Sequence, residues 1–226
     1  IVGLGVGWVL VRYRGLTFLM LTLATGILLY EFANLRADIT GGFDGLTGIK
    51  VDPLFGIFDY DLWGKTHFLY ILGILIVGYI VARFITTSWF GQSLIGIREN
   101  FDRMPAIGCP VTQRLTIVYG ISAAMAGVAG ALYTQSNTYV SLSALGFERS
   151  GVVLTILVVA GAGRLYGAFF GAIVYMTLED ELSKLNPHLW EFGIGLLLVL
   201  VVLFAKGGLL GLVDQIYLRL RRRRTA

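Results

Sequence analysis

Few residues in this chain are of types that could do chemistry, and their spacing argues against catalysis. Asp59 and Asp61 resemble the paired carboxylates of an acid–base couple. They sit in an aromatic stretch that Pro53 marks as a loop, and two carboxylates alone do not make an active site. Glu31 falls near the end of an apolar run and reads as an interfacial carboxylate reaching water. His67 and His188 are far apart, and the one cysteine, Cys109, has no second thiol beside it, so neither a metal set nor a disulfide is expected. No GxxxxGK[ST] motif occurs, so ATP-driven work would need another subunit to hydrolyse the nucleotide. What remains is a polar island, GQSLIGIRENFDRMPAIG, from Gly91 to Gly108. Leu94, Ile97, Phe101 and Met104 recur there at helical spacing, and Arg98, Glu99, Asn100, Asp102 and Arg103 fall largely off that stripe. Such a helix suits docking rather than bond-making.

The elements that must position this island are apolar. With 56% hydrophobic and only 14% charged residues, the chain departs strongly from soluble domains. Its apolar residues come in blocks near the length of a bilayer core. Seven segments can be drawn: Ile1–Val11, Leu16–Leu35, His67–Ala82, Leu115–Tyr133, Gly151–Gly163, Gly167–Leu178 and Leu189–Ala205. The first is too short to span and lacks the marks of a signal peptide, so the N-terminus reads as truncated, with earlier spans missing. Gly151–Gly163 and Gly167–Leu178 flank the turn GAGRLYG and are either two short crossings or one broken helix.

Charge chooses between these. With two crossings, Arg12, Arg14, Arg83, Arg98, Arg103, Arg114, Arg164, Lys206, Arg219 and Arg221 to Arg224 share one side. Arg36, Lys50, Lys65, Arg149 and Lys184 take the other. The positive-inside rule then puts the island and the RLRRRR tail in the cytoplasm, and the loop from Arg36 to Thr66 outside. The same rule accounts for the net charge of +4, and the tail reads as an anchor on anionic lipid rather than a nucleic-acid site. The outer loop is rich in glycine and aromatics, as expected of a folded loop lying against the membrane.

Small residues recur at intervals of four: Ala123, Gly127 and Ala131; Ala126 and Gly130; Gly163, Gly167 and Gly171. That spacing lets helix backbones approach closely in lipid. A second reading has the glycine-interrupted pair around Gly161–Gly167 unwind to line a pathway. The expected fold is all-α, a polytopic transmembrane helix bundle with a glycine-broken helix pair. A secondary transporter would be expected to bury a coupling carboxylate in a span, and none is clearly placed.

Taken together, GQSLIGIRENFDRMPAIG, the following ISAAMAGVAGALY, VVAGAGRLYGAFFGA, LFAKGGLLGL, RYRGLTFLMLTLATG and ITGGFDGLTGI resemble, in order, the M-type permeases of branched-chain amino-acid ABC importers. The resemblance covers essentially the whole chain apart from the family's N-terminal spans. It implies a multi-pass permease subunit of the bacterial inner membrane, not an enzyme, without cofactor, carrying branched-chain amino acids. Urea, short amides or another amino acid are the alternatives within the family. The implied partners are a homologous permease, two cytoplasmic ATPases and a periplasmic solute-binding protein. It further implies that residues 91–108 form a coupling helix seated on an ATPase, with Arg98, Glu99, Asn100 and Gly108 matching its motif. Gly91, Leu94, Ile97 and Phe101 complete the expected docking set. Pro105 is expected to end that helix near Met104, leaving Gln92–Met104 to dock.

Overall fold

The computed structural model describes residues 2–48, 65–161, 163, 165–185 and 189–204. Asp59, Asp61, His188, Arg164, Lys206 and the arginine tail therefore lie outside the described residues. The architecture is all-α. Ten helices are described: α1 (Val2–Leu10), α2 (Leu16–Leu35), α3 (Ala37–Thr40), α4 (Lys65–Thr87), α5 (Trp89–Glu99), α6 (Arg103–Ala106), α7 (Val111–Asn137), α8 (Phe147–Ala160), α9 (Gly167–Leu185) and α10 (Trp190–Phe204). Two two-residue strands, β1 (Leu46–Thr47) and β2 (Tyr139–Val140), pair antiparallel. The chain divides into two units, Ile1–Gly146 and Phe147–Ala226.

Three helices in the first unit are long and apolar enough to cross a membrane: Leu16–Leu35, Thr66–Thr87 and Val111–Asn137. Their large side chains point outward, Leu16, Leu28, Phe68, Phe84 and Val128 among them. In water that would be a liability; in lipid it is the expected solvent-facing surface. Packing instead depends on close backbone approach. A Cβ on Gly7 of α1 would stand 2.7 Å from Cδ1 of Tyr119 on α7, one on Gly3 would strike the Cβ of Ala123, and one on Gly120 would strike Leu4. Gly3 and Gly7, spaced by four, thus seat α1 against α7.

The first unit has two distinct ends. At one end lie the α1–α2 turn and the segment from Ser88 to Pro110. At the other, the start of the loop after α2 folds into α3, a 3-10 turn (Gly42–Asp44) and β1, and β1 clasps β2 with Leu46 opposite Val140. Gly45, at φ 72°, lies where a Cβ would run into the Val140 backbone. A further 3-10 turn, Leu142–Leu145, packs on α2 and buries Leu142.

In the second unit, α10 packs on both α8 and α9. Val159 is fully buried, and Tyr175 and Val201 nearly so. The glycine-broken pair is two helices, not one. Gly161 (φ 99°) and Gly163 (φ 139°) adopt backbone angles that other residues rarely take, which ends α8 at Ala160. The 14 residues of α8 make about 21 Å of helix, short of a hydrocarbon core of about 30 Å. By contrast α9 runs past the expected Leu178 to Leu185, carrying Glu179, Asp180 and Glu181 on an exposed final stretch.

Candidate functional site

The polar island begins at a one-residue break. Ser88 leaves α4 with its Oγ donating to the Ile85 carbonyl at 2.7 Å, and the same oxygen accepts from the Gly91 backbone N–H at 3.3 Å. The serine closes one helix and caps the next. This folds the chain so sharply that Gly91 is buried, and a Cβ there would meet the carbonyl oxygens of Thr86 and Ile85. Gly91 is thus placed inside the turn rather than on an outer surface.

From there α5 packs on α4 and α7. Ile97 is buried at 4% exposure, and Leu94 is half-buried. The apolar stripe faces the protein's own helices. Outward point Trp89 (93% exposed), Gln92, Ile95, Arg98 and Glu99. On the inner side Arg114 of α7 lies over the Phe90 ring, 5.2 Å from its centroid.

The helix ends earlier than the sequence suggests. Instead of continuing to Met104, α5 stops at Glu99, because Asn100 leaves helical backbone (φ −150°, ψ 93°). Its Oδ1 then accepts from the Arg103 N–H at 3.2 Å and starts α6. Pro105 is not the terminator. It occupies the first turn of α6, where a missing N–H forfeits no intrahelical bond. Met104 folds back over Gly96, where a Cβ would stand 3.0 Å from its Sδ. Gly108 (φ 83°) ends α6: its N–H donates to Pro105 O at 2.9 Å and that of Cys109 to Met104 O at 3.1 Å. This is the paired-bond helix ending that favours glycine in the left-handed region.

A long-range contact holds the island. Arg14, in the turn between α1 and α2, places its guanidinium 3.2 Å from the centroid of the half-buried Phe101 ring. Its Nη1 lies 3.2 Å from Oδ1 of Asp102. Nearby Arg12 stacks on Trp8 at 3.9 Å. Arg14 and Asp102 therefore bring the α1–α2 turn and the island to one end of the unit, 88 positions apart in sequence.

The predicted glycines divide by role. Gly171 is buried, and a Cβ on it would approach Ala160 Cβ to 2.6 Å and the Ile156 carbonyl to 2.7 Å. Gly167 is buried at the start of α9, and Gly161 and Gly163 make the break. Gly127 and Gly130 have no neighbour within 4 Å of a Cβ position among the described residues, so they pack against nothing in this unit. Gly3, Gly7 and Gly120 carry the close approach instead; the four-residue spacing of Gly3 and Gly7 was the available signal. A cavity of about 340 Å³ opens between α1, α2 and α7.

An apolar, multi-helix chain with a capped surface helix fits a membrane permease, and comparison with known proteins agrees. A family model described as branched-chain amino acid transport system / permease component matches residues 1–205, and the chain belongs to that family. Two relatives are each 25% identical over 230 residues, covering 92% of this chain: the high-affinity branched-chain amino acid transport system permease proteins LivM of Salmonella typhimurium and of Escherichia coli K12. The chain spans about half, 54%, of the length of these curated relatives. No solved structure matches it.

Proposed function

We propose that this chain is the M-type permease subunit of an ABC importer that carries branched-chain amino acids across the bacterial inner membrane. Partner ATPases supply the energy, a homologous permease completes the pathway, and a periplasmic protein delivers the solute. The observation that carries this reading is the outward face of α5. Trp89, Gln92, Ile95, Arg98 and Glu99 form a mixed apolar and charged surface at the end of the unit that also holds Arg12, Arg14 and Arg103. A helix of that character fits a groove on a soluble partner. The arginines favour the cytoplasmic side, where an ATPase would be.

In this reading α5 and α6 form the coupling segment. Ser88 and Gly91 fix its angle to α4, and Ile97 anchors its inner face. Arg98 and Glu99 set register on the ATPase by charged contacts. ATP binding closes the ATPases, the segment follows, and the helices rearrange between outward- and inward-open forms. That the relatives are branched-chain amino acid permeases favours leucine-like cargo. Affinity purification of the full-length protein with mass spectrometry should recover a co-eluting ATPase, and proteoliposomes of the assembled complex should take up labelled leucine with ATP. Recovery without any ATPase would remove the importer reading.

A further inference from the structure

The inner face of α5 is held by α4 and α7, and α7 shares the walls of the cavity at mid-helix depth with α1 and α2. Its lining includes Val2 and Val6 of α1, Thr22, Thr25 and Leu29 of α2, and Ala123 of α7. The lining positions 22–29 fall in the middle of the 20-residue α2, so the cavity sits where a membrane core would be. Beside the direct packing of α5 on α7, a link from the docking segment to the α1 and α2 walls runs through the turn between those helices. Arg14 is the residue in the turn joining those two helices, and it grips both Phe101 and Asp102.

Three features suit Arg14 to transmit movement rather than to stabilise the fold. First, its ion pair is solvated, with side chains 57% and 90% exposed, and such pairs contribute little to stability. Second, the guanidinium makes two contacts of different kinds, an ion pair to Asp102 and a face contact to Phe101, which fix direction as well as distance. Third, the next residue, Gly15, caps α2 at φ 61°, ψ −135°, and nothing lies within 4 Å of its Cβ position. A left-handed glycine with free space around it is a joint that can absorb a change of angle between two helices.

We propose that Arg14 is a positioning residue that links the docking segment to the α1–α2 hinge, so that displacement of Phe101 and Asp102 re-angles the walls of the cavity. This rests on the importer reading given above. The ATPase pushes on the outer face of α5, and Asn100 passes the displacement to residues 101–102. Arg14 then carries it to the hinge at Gly15, and α1 and α2 move relative to α7. The link couples sites without taking part in binding either the ATPase or the solute.

The test uses the full-length permease in its assembled complex, in proteoliposomes, with R14E, D102R and the R14E/D102R double variant. ATPase co-purification, ATP hydrolysis without the solute-binding protein, and labelled leucine uptake are measured on each. R14E is expected to keep ATPase and basal hydrolysis while uptake per ATP falls about tenfold, within the usual range of coupling between sites. The double variant, which restores the ion pair with charges exchanged but not the face contact to Phe101, is expected to recover part of the loss. Unchanged uptake per ATP in R14E overturns the proposal, as does a folded double variant with no recovery. If R14E fails to assemble, D102R and the double variant decide by the same two readouts. Absence of ATPase from the wild-type complex would instead remove the importer reading, so the two failures are distinguishable.

Discussion

Ser88 and Gly91 are joined by a hydrogen bond, the backbone N–H of Gly91 donating to the Ser88 side-chain oxygen at 3.3 Å, across the break between the long apolar helix α4 and the surface helix that follows it. That bond and the missing Cβ at 91 together set the angle at which α5 leaves α4. Alanine at 91 would press a methyl into the carbonyls of Thr86 and Ile85. G91A is therefore expected to destabilise the subunit by about 1–3 kcal/mol, the usual cost of overpacking. A lowered melting midpoint in detergent, followed by size-exclusion chromatography after heating, checks this. G108A should cost about 1–2 kcal/mol through backbone strain alone, since its Cβ would meet open space.

The docking role proposed for the outer face of α5 makes a directional prediction. Charge reversal on the outward face, R98E with E99R, should lower ATPase retention while leaving the melting midpoint of the isolated permease unchanged. I97D should do the reverse in kind, lowering the midpoint because it buries a carboxylate against α4 and α7. Equal thermal loss in both variants would mean that the outer face is structural.

The helix interfaces offer a third comparison. G7L places a large side chain into the ring of Tyr119, so α1 should separate from α7 and the subunit should lose stability by about 1–3 kcal/mol. A Cβ at position 127 meets no neighbour within 4 Å among the described residues, so G127L should cost the isolated subunit much less than G7L. Assembly with the homologous permease measures whether that bare face is covered in the complex, and reduced assembly of G127L is the expected result.

Lys184 gives a pH prediction. The hydrogen bond that Lys184 donates to the Asp180 carboxylate, then the charges of Asp180 and Glu181, raise the lysine above its ordinary 10.5. A raised cation contributes its stabilisation fully below the ordinary value and loses it as pH rises through the folded value. The end of α9 should therefore be insensitive to pH near neutrality and loosen only above about 10.5. NMR titration of labelled Lys184 should show the shift, and D180N should move it back.

Much of the helix layout was legible because hydropathy and length speak directly. The span Leu16–Leu35 has the same bounds in sequence and structure. The spans α4 and α7 run several residues beyond their apolar cores, to Thr87 and Asn137. A helix does not stop where lipid stops, so polar residues at either end stay helical. The island was legible in phase but not in length. Pro105 looked like the strongest breaker, yet an asparagine side chain five residues earlier competes more effectively for the backbone. The contact of Arg14 with Phe101 and Asp102 left no local mark, since neither spacing nor propensity relates residues so far apart. Glycine spacing named Gly127 and Gly130 but not Gly120, because proximity depends on which face meets α1.

Cys109 follows Gly108 directly and donates its N–H to Met104, so the only thiol among these 226 residues is anchored to the last turn of α6. A fluorophore or spin label attached there would ride on that turn without any engineered handle. Paired with a second label in the α1–α2 turn, it would convert the proposed movement of that turn against α6 into a distance record.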